Sequence, residues 1–309
     1  MSTIEQAAKA LSSGKLVAFP TETVYGLGAD ASNESAVARI FEVKNRPKDH
    51  PLIVHITNVS DVDFWASEFP DYAKKLAEKF WPGPMTLILP RSENAKDFIT
   101  GAQESVGLRI PKHPVAQWLL QAFSNLGGKG VAAPSANRFG QLSPTDAAAV
   151  KVELGESLGS EDIILDGGLS DVGIESTIID CTGTNPAILR AGFVSPQQIE
   201  QVTGLEVVES TSGVRVSGAL KRHYSPRTPL QLGGEAQAGE GLIALASFPT
   251  PIGVVRLASP STSEEFAHLL YQSLRQADEL GLSKVVVIPP QGDHLADAIL
   301  DRLTKAAAK

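Results

Sequence analysis

The chain has 309 residues, which at roughly 150 per domain suggests two domains rather than one or four. It is 42% hydrophobic and 20% charged, with 11 Phe, 4 Tyr and 3 Trp, a composition that excludes global disorder or a coiled coil and supports a sizeable buried core. The net charge of −8 excludes a general nucleic-acid binder, because such a protein carries a large basic excess. The acidity is also uneven. Residues 1–207 hold 17 Lys and Arg against 25 Asp and Glu, while 208–309 are balanced at 10 against 10.

No apolar run approaches the ~18 residues of a membrane span, and the start MSTIEQAAKALSSGK lacks a basic segment leading into an apolar one. The expectation is a cytoplasmic protein without membrane contact. A single cysteine, Cys181, excludes an internal disulfide framework and a multi-cysteine zinc site; inside ESTIIDCT it reads as a buried, inert thiol.

In chain order, Ile4, Ala7, Ala8 and Leu11 recur at helical spacing and Gly14 stops the helix; KLVAFP then reads as a buried strand. SNESAVARIFEVK is a helix capped by Ser32 or Asn33, with Val37, Ile40 and Phe41 facing inward. PLIVHI is a strand with Leu52, Val54 and Ile56 on one face and Ile53 and His55 on the other. PDYAKKLAEKF and HPVAQWLLQAF read as helices, and MTLILP, VGLRIP, DIILD, STIID and AILRA as strands. The strands are too many and too irregularly spaced for simple βαβ repeats, so the fold class is α/β with a twisted, mixed sheet and packed helices. Residues 208–240 are rich in Gly, Ser, Pro and charge and read as a linker, long enough to carry function. Residues 241–309 then form a small α/β, Rossmann-like C-terminal domain that leans on the first domain, residues 1–207.

Several chemistries lack their motifs. There is no G-x-G-x-x-G opening a helix, no G-x-x-x-x-G-K-[ST], no HExxH and no CxxC. Polar clusters at strand ends remain. PTETVYGLGAD (20–30) follows the first strand, where an open α/β sheet places its ligand loops, or is simply a solvated turn. VKNRPKDH places Lys44, Arg46 and Lys48 within five residues, held by Pro47 and Pro51; this suits either an anionic ligand or complementation of a helix C-terminus. A lone strand histidine such as His55 is more often structural than functional. Arg109, in the apolar VGLRIP strand, needs a carboxylate from the protein or from a substrate. APSANRFGQLSPT offers Ser135 and Ser143 for phosphate or for capping near Thr145; IEST adds Ser176 and Thr177, and ILRAG adds Arg190. An acid-free basic stretch, 213–228, carries Arg215, Lys221, Arg222 and Arg227. Together, cations and hydroxyls without a nucleophile–base pair fit a site for a polyanion and a small polar co-substrate, as in phosphoryl or nucleotidyl transfer.

In this order, PTETVYGLGAD, KNRPKDHPLIVHI, VGLRIP, APSAN with SPT, GIESTIID and ILRAG resemble the YrdC-like family, and HYSPRTPL with a second domain resembles its long two-domain form. The resemblance implies an enzyme that joins L-threonine, bicarbonate and ATP into threonylcarbamoyl-AMP and pyrophosphate, with Mg²⁺ accompanying ATP. Downstream proteins would then transfer the threonylcarbamoyl group to tRNA. It also implies roles for residues: Thr23, His55, Arg109 and Ser176 with threonine; Arg46, Ser135, Ser143 and Arg190 with ATP; Lys44 alongside Arg46; His223 and Tyr224 in a lid. Which residues, if any, ligate metal is left unassigned. Asn45 stands where many relatives have Gly, which suits a left-handed backbone, and Ala133 where some have a hydroxyl residue. Two other functions belong to the same resemblance: a YrdC-type RNA-binding module, whose reading the acidic first domain weakens without excluding weak direct RNA binding, and a carbamoyl transferase of the hydrogenase-maturation kind, whose extra regions are missing.

Overall fold

Apolar side chains at helical and alternating spacing assemble into two sheets. The computed structural model describes residues 3–210, 212–218 and 222–308. The first unit runs α1 (Thr3–Ser12), β1 (Val17–Phe19), β2 (Gly26–Asp30), α2 (Glu34–Lys44), β3 (Ile53–His55), α3 (Val62–Trp65), α4 (Asp71–Phe80), β4 (Met85–Pro90), α5 (Asp97–Thr100) and β5 (Ser105–Arg109). It continues with α6 (Pro114–Asn125), β6 (Val131–Ala132), α7 (Ala147–Leu154), β7 (Ile163–Ile164), β8 (Thr177–Asp180), β9 (Ala187–Arg190) and α8 (Pro196–Thr203). The second comprises β10 (Leu230–Leu232), β11 (Gly241–Ile243), β12 (Val255–Ala258), α9 (Ser263–Leu280), β13 (Val285–Val287) and α10 (His294–Ala307).

The nine-stranded sheet has the order β7-β1-β2-β6-β3-β5-β4-β8-β9 and mixes parallel with antiparallel pairs, as expected for the class. Alternation along its first strand buries both faces: Leu16 and Ala18 join the larger core, while Val17 and Phe19 pack with Ala7 and Leu11 of α1 and Leu119 and Phe123 of α6. In β3, Leu52, Val54 and Ile56 enter the core, leaving Ile53 and His55 on the opposite face. Asn33 caps α2, accepting from the Ala36 N–H at 3.1 Å. Part of PTETVYGLGAD is strand rather than loop. Gly26 and Gly28 make this feasible, since a Cβ on Gly28 would meet Val131 at 2.7 Å and Phe19 at 2.9 Å. Cys181 is fully buried, and burial pushes its thiol up, in keeping with an inert role.

The four strands of the second sheet are all parallel, ordered β10-β13-β11-β12, with α9 and α10 packed on them. Leu230–Leu232, inside the stretch read as linker, is the edge strand; three residues between Pro229 and Gly233 are too few to show a period. Phe266, Leu270, Leu274, Ile299 and Leu303 share one core with Val24, Leu142 and Ile174 of the first unit, so the second unit does lean on the first.

The described part of the remaining linker is laid over the first unit. Val214 and Val216 pack on Ile88 and Ile178, the Arg215 N–H donates to Gln103 Oε1 at 2.6 Å, and Gln103 Nε2 donates to the Arg215 carbonyl at 3.1 Å. Of the basic stretch, Arg215 turns to Asp49 at 3.7 Å and Arg227 to Asp278 at 3.9 Å, while Lys221 lies outside the described residues.

Candidate active site

The turn after β1 is built from its own hydroxyls. Thr21 Oγ1 donates to the Val24 carbonyl at 2.6 Å and accepts from the Thr23 and Val24 N–H groups, while Thr21 and Thr23 share a 2.8 Å bond between hydroxyls. The Tyr25 N–H and carbonyl then pair with Pro144 and Ala136, which draws the 133–145 loop alongside. Opposite lies the C-terminus of α2. Asn45 has φ 51, the left-handed cap its side chain tolerates, and the reversal it makes sends Arg46 back over the sheet.

Thr23, Arg46, His55, Arg109, Ser135, Ser176, Arg190, His223 and Tyr224 all line one pocket. Arg46 Nη2 donates to the Pro51 carbonyl at 3.0 Å and to Ser217 Oγ at 3.1 Å. Arg190 donates to Ser176 Oγ and to the Ser176 and Ser217 carbonyls, each at 3.0 Å. The Ser176 hydroxyl also bonds Thr86 at 2.8 Å. In register beside Arg109 stands His55, held neutral: burial, then Arg109, lowers its pKa to about 3. Burial likewise lowers Arg46 to about 10 and His223 to about 4. Among the described residues, Arg46 Nε, His55 Nδ1 and His223 Nδ1 are buried without a hydrogen-bond partner, an unusual concentration of unpaired polar atoms around one cavity.

Two of the expected residues stand elsewhere. Lys44 is not in the lining; its ammonium donates to the Ser135 carbonyl at 2.6 Å and to the Asn137 carbonyl, and burial holds its pKa well below the usual lysine value. Its position as the last helical residue, before the reversal at Asn45, directs it under the 133–145 loop. Ser143 donates to Glu175 Oε1 at 2.6 Å instead of facing the cavity.

The carboxylate that Arg109 requires is Glu22, at 2.7 Å, so this partner comes from the protein. Glu22 also accepts the Lys112 N–H at 2.9 Å. The sequence grouped Thr21 and Glu22 in the first cluster without a role for either; the buried Arg109 was the signal for Glu22. Glu175 and Ser217, both in the lining, went unassigned. An acid between apolar Ile174 and the hydroxyls of Ser176 and Thr177 could have marked the first. Nothing in the linker marked the second.

Fold and site together define an α/β protein with an arginine-lined pocket, whose lining takes in Ser217, Gly218, His223 and Tyr224, and a second α/β unit packed against the first. Residues 9–192 match the family model Sua5_yciO_yrdC, described as telomere recombination, and residues 194–308 match the one described as the threonylcarbamoyl-AMP synthase C-terminal domain. A threonylcarbamoyl-AMP synthase of Pyrococcus abyssi is 38% identical over 98% of this chain and 94% of its own, and one of Bacillus subtilis 37% identical over 98% and 92%. A putative threonylcarbamoyl-AMP synthase of Mycobacterium tuberculosis is 36% identical over 66% of this chain and 90% of its own. The crystal structure of P. abyssi Sua5 complexed with L-threonine superposes with a TM-score of 0.87 at 36% identity, covering 98% of this chain and 94% of that one. The chain belongs to the Sua5/YrdC family in its two-domain form.

Proposed function

We propose that the protein is a threonylcarbamoyl-AMP synthase, forming L-threonylcarbamoyladenylate and pyrophosphate from L-threonine, bicarbonate and ATP for a tRNA modification completed by transfer proteins. The observation that carries this reading is the convergence of Arg46, Arg109 and Arg190 with Thr23, His55 and Ser176 on one pocket. Three guanidiniums and hydroxyls, without a nucleophile–base pair, suit substrates that bring both reacting groups themselves. Relatives carrying the synthase name and the threonine complex of the P. abyssi protein support it.

Threonine takes the side of Thr23, His55, Arg109 and Ser176. Its amine nitrogen bonds to the carbon of bicarbonate, losing water and a proton, and a carbamate forms. Neutral His55 can accept a hydrogen bond there without adding charge beside Arg109. A carbamate oxygen then attacks the α-phosphorus of ATP, the bond to the bridging oxygen breaks, and pyrophosphate leaves. Arg46 and Arg190 hold the phosphates with Ser135 at the edge; Lys44 and Ser143 act from behind by shaping the loop and fixing Glu175. For Mg²⁺ the residues offer no resident seat. No group of three or more His, Cys, Asp or Glu gathers among the described residues, and Glu175 is already committed to Ser143, Tyr271 and Arg302. Mg²⁺ would accompany the nucleotide and supply charge neutralisation at its phosphates.

With Ser217, Gly218, His223 and Tyr224 in its lining the cavity is only about 50 Å³, far below the ~300 Å³ at which small-molecule sites begin. A nucleotide therefore enters only when the lining gives way, and an enclosed pocket keeps water from the reactive adenylate. Arg46→Glu reverses a charge facing the phosphates. It is expected to abolish pyrophosphate release that depends on both threonine and bicarbonate, measured by a coupled phosphate assay; full activity in that variant would sink the assignment.

A further inference from the structure

Thr21 and Thr23 stand in the turn after β1, both buried and both in the pocket lining. A hydroxyl carries one proton and two lone pairs, so its partners decide which way each of its bonds runs. Thr21 Oγ1 lies 2.6 Å from the Val24 carbonyl, an atom that only accepts, and its single proton is spent there. It has none left for Thr23. The 2.8 Å contact between the two hydroxyls therefore runs one way, with the Thr23 O–H donating to Thr21. The Thr23 and Val24 N–H groups, each at 3.2 Å from the same Thr21 oxygen, hold that oxygen in place as an acceptor. With its proton turned back into the turn, and with no other partner for its hydroxyl among the described residues, Thr23 shows only lone pairs to the cavity.

Ser176 has the opposite polarity. Arg190 Nη2 donates to its oxygen at 3.0 Å. Thr86, fully buried, finds no other acceptor for its proton among the described residues than that same oxygen at 2.8 Å, so it donates as well. Both lone pairs of Ser176 are then filled and its proton is left for the cavity. Arg46, Arg109 and Arg190 in the lining can only donate. Thr23 is thus an acceptor set among donors, and the group it suits is an N–H of a ligand whose oxygens face the arginines and Ser176.

We propose that Thr21 is a positioning residue: by taking the proton of Thr23 it fixes that hydroxyl as the acceptor for the amine N–H of threonine. This rests on the synthase reading. The polarity matters because the amine must attack bicarbonate with its lone pair. A Thr23 proton aimed into the cavity would bind that lone pair, whereas a Thr23 lone pair holds an N–H and leaves the electrons free. When the nitrogen has bonded to the bicarbonate carbon and water and a proton have left, the carbamate nitrogen keeps one N–H. The bond to Thr23 therefore persists while a carbamate oxygen attacks the α-phosphorus.

The test compares L-threonine with N-methyl-L-threonine, whose carbamate has no N–H, by pyrophosphate release with bicarbonate and ATP. Full-length Thr21→Val keeps the branched shape and removes the hydroxyl. Its kcat/KM for threonine is expected to fall about tenfold, the size of one hydrogen bond, while that for N-methyl-L-threonine changes by less than about twofold. Thr21→Ser should restore most of the loss, and Thr21→Val should add nothing in a Thr23→Val background, because both changes remove one and the same bond. An equal fall for both substrates, or a further loss in the Thr23→Val background, overturns the proposal and leaves Thr21 a merely structural part of the turn. Should Thr21→Val fail to fold, neutron diffraction from the deuterated, unaltered protein decides. Deuterium on the line from Thr23 to Thr21 is expected, and a Thr23 deuterium aimed into the cavity overturns the proposal. Absence of threonine- and bicarbonate-dependent pyrophosphate in the unaltered protein overturns the synthase reading instead, and the neutron map still judges the direction of the Thr21–Thr23 bond.

Discussion

Arg109 and His55 occupy adjacent strands in register, yet their side chains solve burial differently. Arg109 remains paired, with Glu22 at 2.7 Å and the Gly83 carbonyl at 3.2 Å. His55 instead gives up its proton, with a pKa lowered to about 3 by burial and then by Arg109, as His223 does, lowered to about 4 by burial. In the unfolded chain both return toward 6.5. Between about pH 6.5 and 4 the unfolded state therefore binds protons that the folded state refuses, and stability falls as pH falls through that window. Each histidine contributes up to about 1.4 kcal/mol per pH unit there. Urea unfolding from pH 7.5 to 5 is expected to show this slope, and His55→Asn to flatten it by one histidine's share; an identical slope in the variant would count against a buried neutral His55. At this scale the sequence told part of the story. Arg109 announced a missing carboxylate because a lone guanidinium in an apolar strand is intolerable, whereas Lys44 looked free because sequence cannot show that its stem turns under the 133–145 loop to reach two carbonyls.

Elements explain why these residues meet. Helix α2 ends because Asn45 enters the left-handed region, its N–H bonding the Glu42 carbonyl at 3.1 Å, and the Arg46 N–H bonding Phe41 at 2.9 Å. The reversal aims Arg46 at Pro51 and Ser217 rather than along the helix axis. Asn45→Gly should therefore be tolerated, while Asn45→Val should cost about 1–2 kcal/mol and lower pyrophosphate release by displacing Arg46. Denaturant midpoints and initial rates of the two variants check this, and a valine variant equal to the parent would contradict it. The long amphipathic helices and the alternating strand β3 were legible because each buries a periodic face. Strands β2, β6 and β10 were not, since glycine pairs and runs of two or three residues carry no period and are defined only by the partner strand.

Across the whole molecule, the acidic first unit holds every pocket side chain up to Arg190, Ser217, Gly218, His223 and Tyr224 of the connecting stretch complete the lining, and the second unit packs behind it. The core of the second unit is continuous with Val24, Leu142 and Ile174, and its α9 and α10 deliver Tyr271 and Arg302 to Glu175. The M. tuberculosis relative matches only about two thirds of this chain yet spans most of its own length, so a fold of the first unit's size stands as a protein elsewhere. Truncation after residue 207 removes Ser217 from Arg46 and Arg190, Val214 and Val216 from Ile88 and Ile178, and Arg302 from Glu175. The truncated chain is expected to keep the mixed sheet by circular dichroism, because the ladders of β1 to β9 lie within the first unit, although the isolated bridge of Ala187 to Val208 is lost. Its Glu175 regains water, which offsets the lost ion pair, whereas the open pocket exposes the adenylate. Pyrophosphate formation should therefore persist at reduced rate while the yield of intact threonylcarbamoyl-AMP drops further than the rate does. Equal yield and equal kinetics in a folded truncation would show that residues 208–309 neither cover the site nor hold its product.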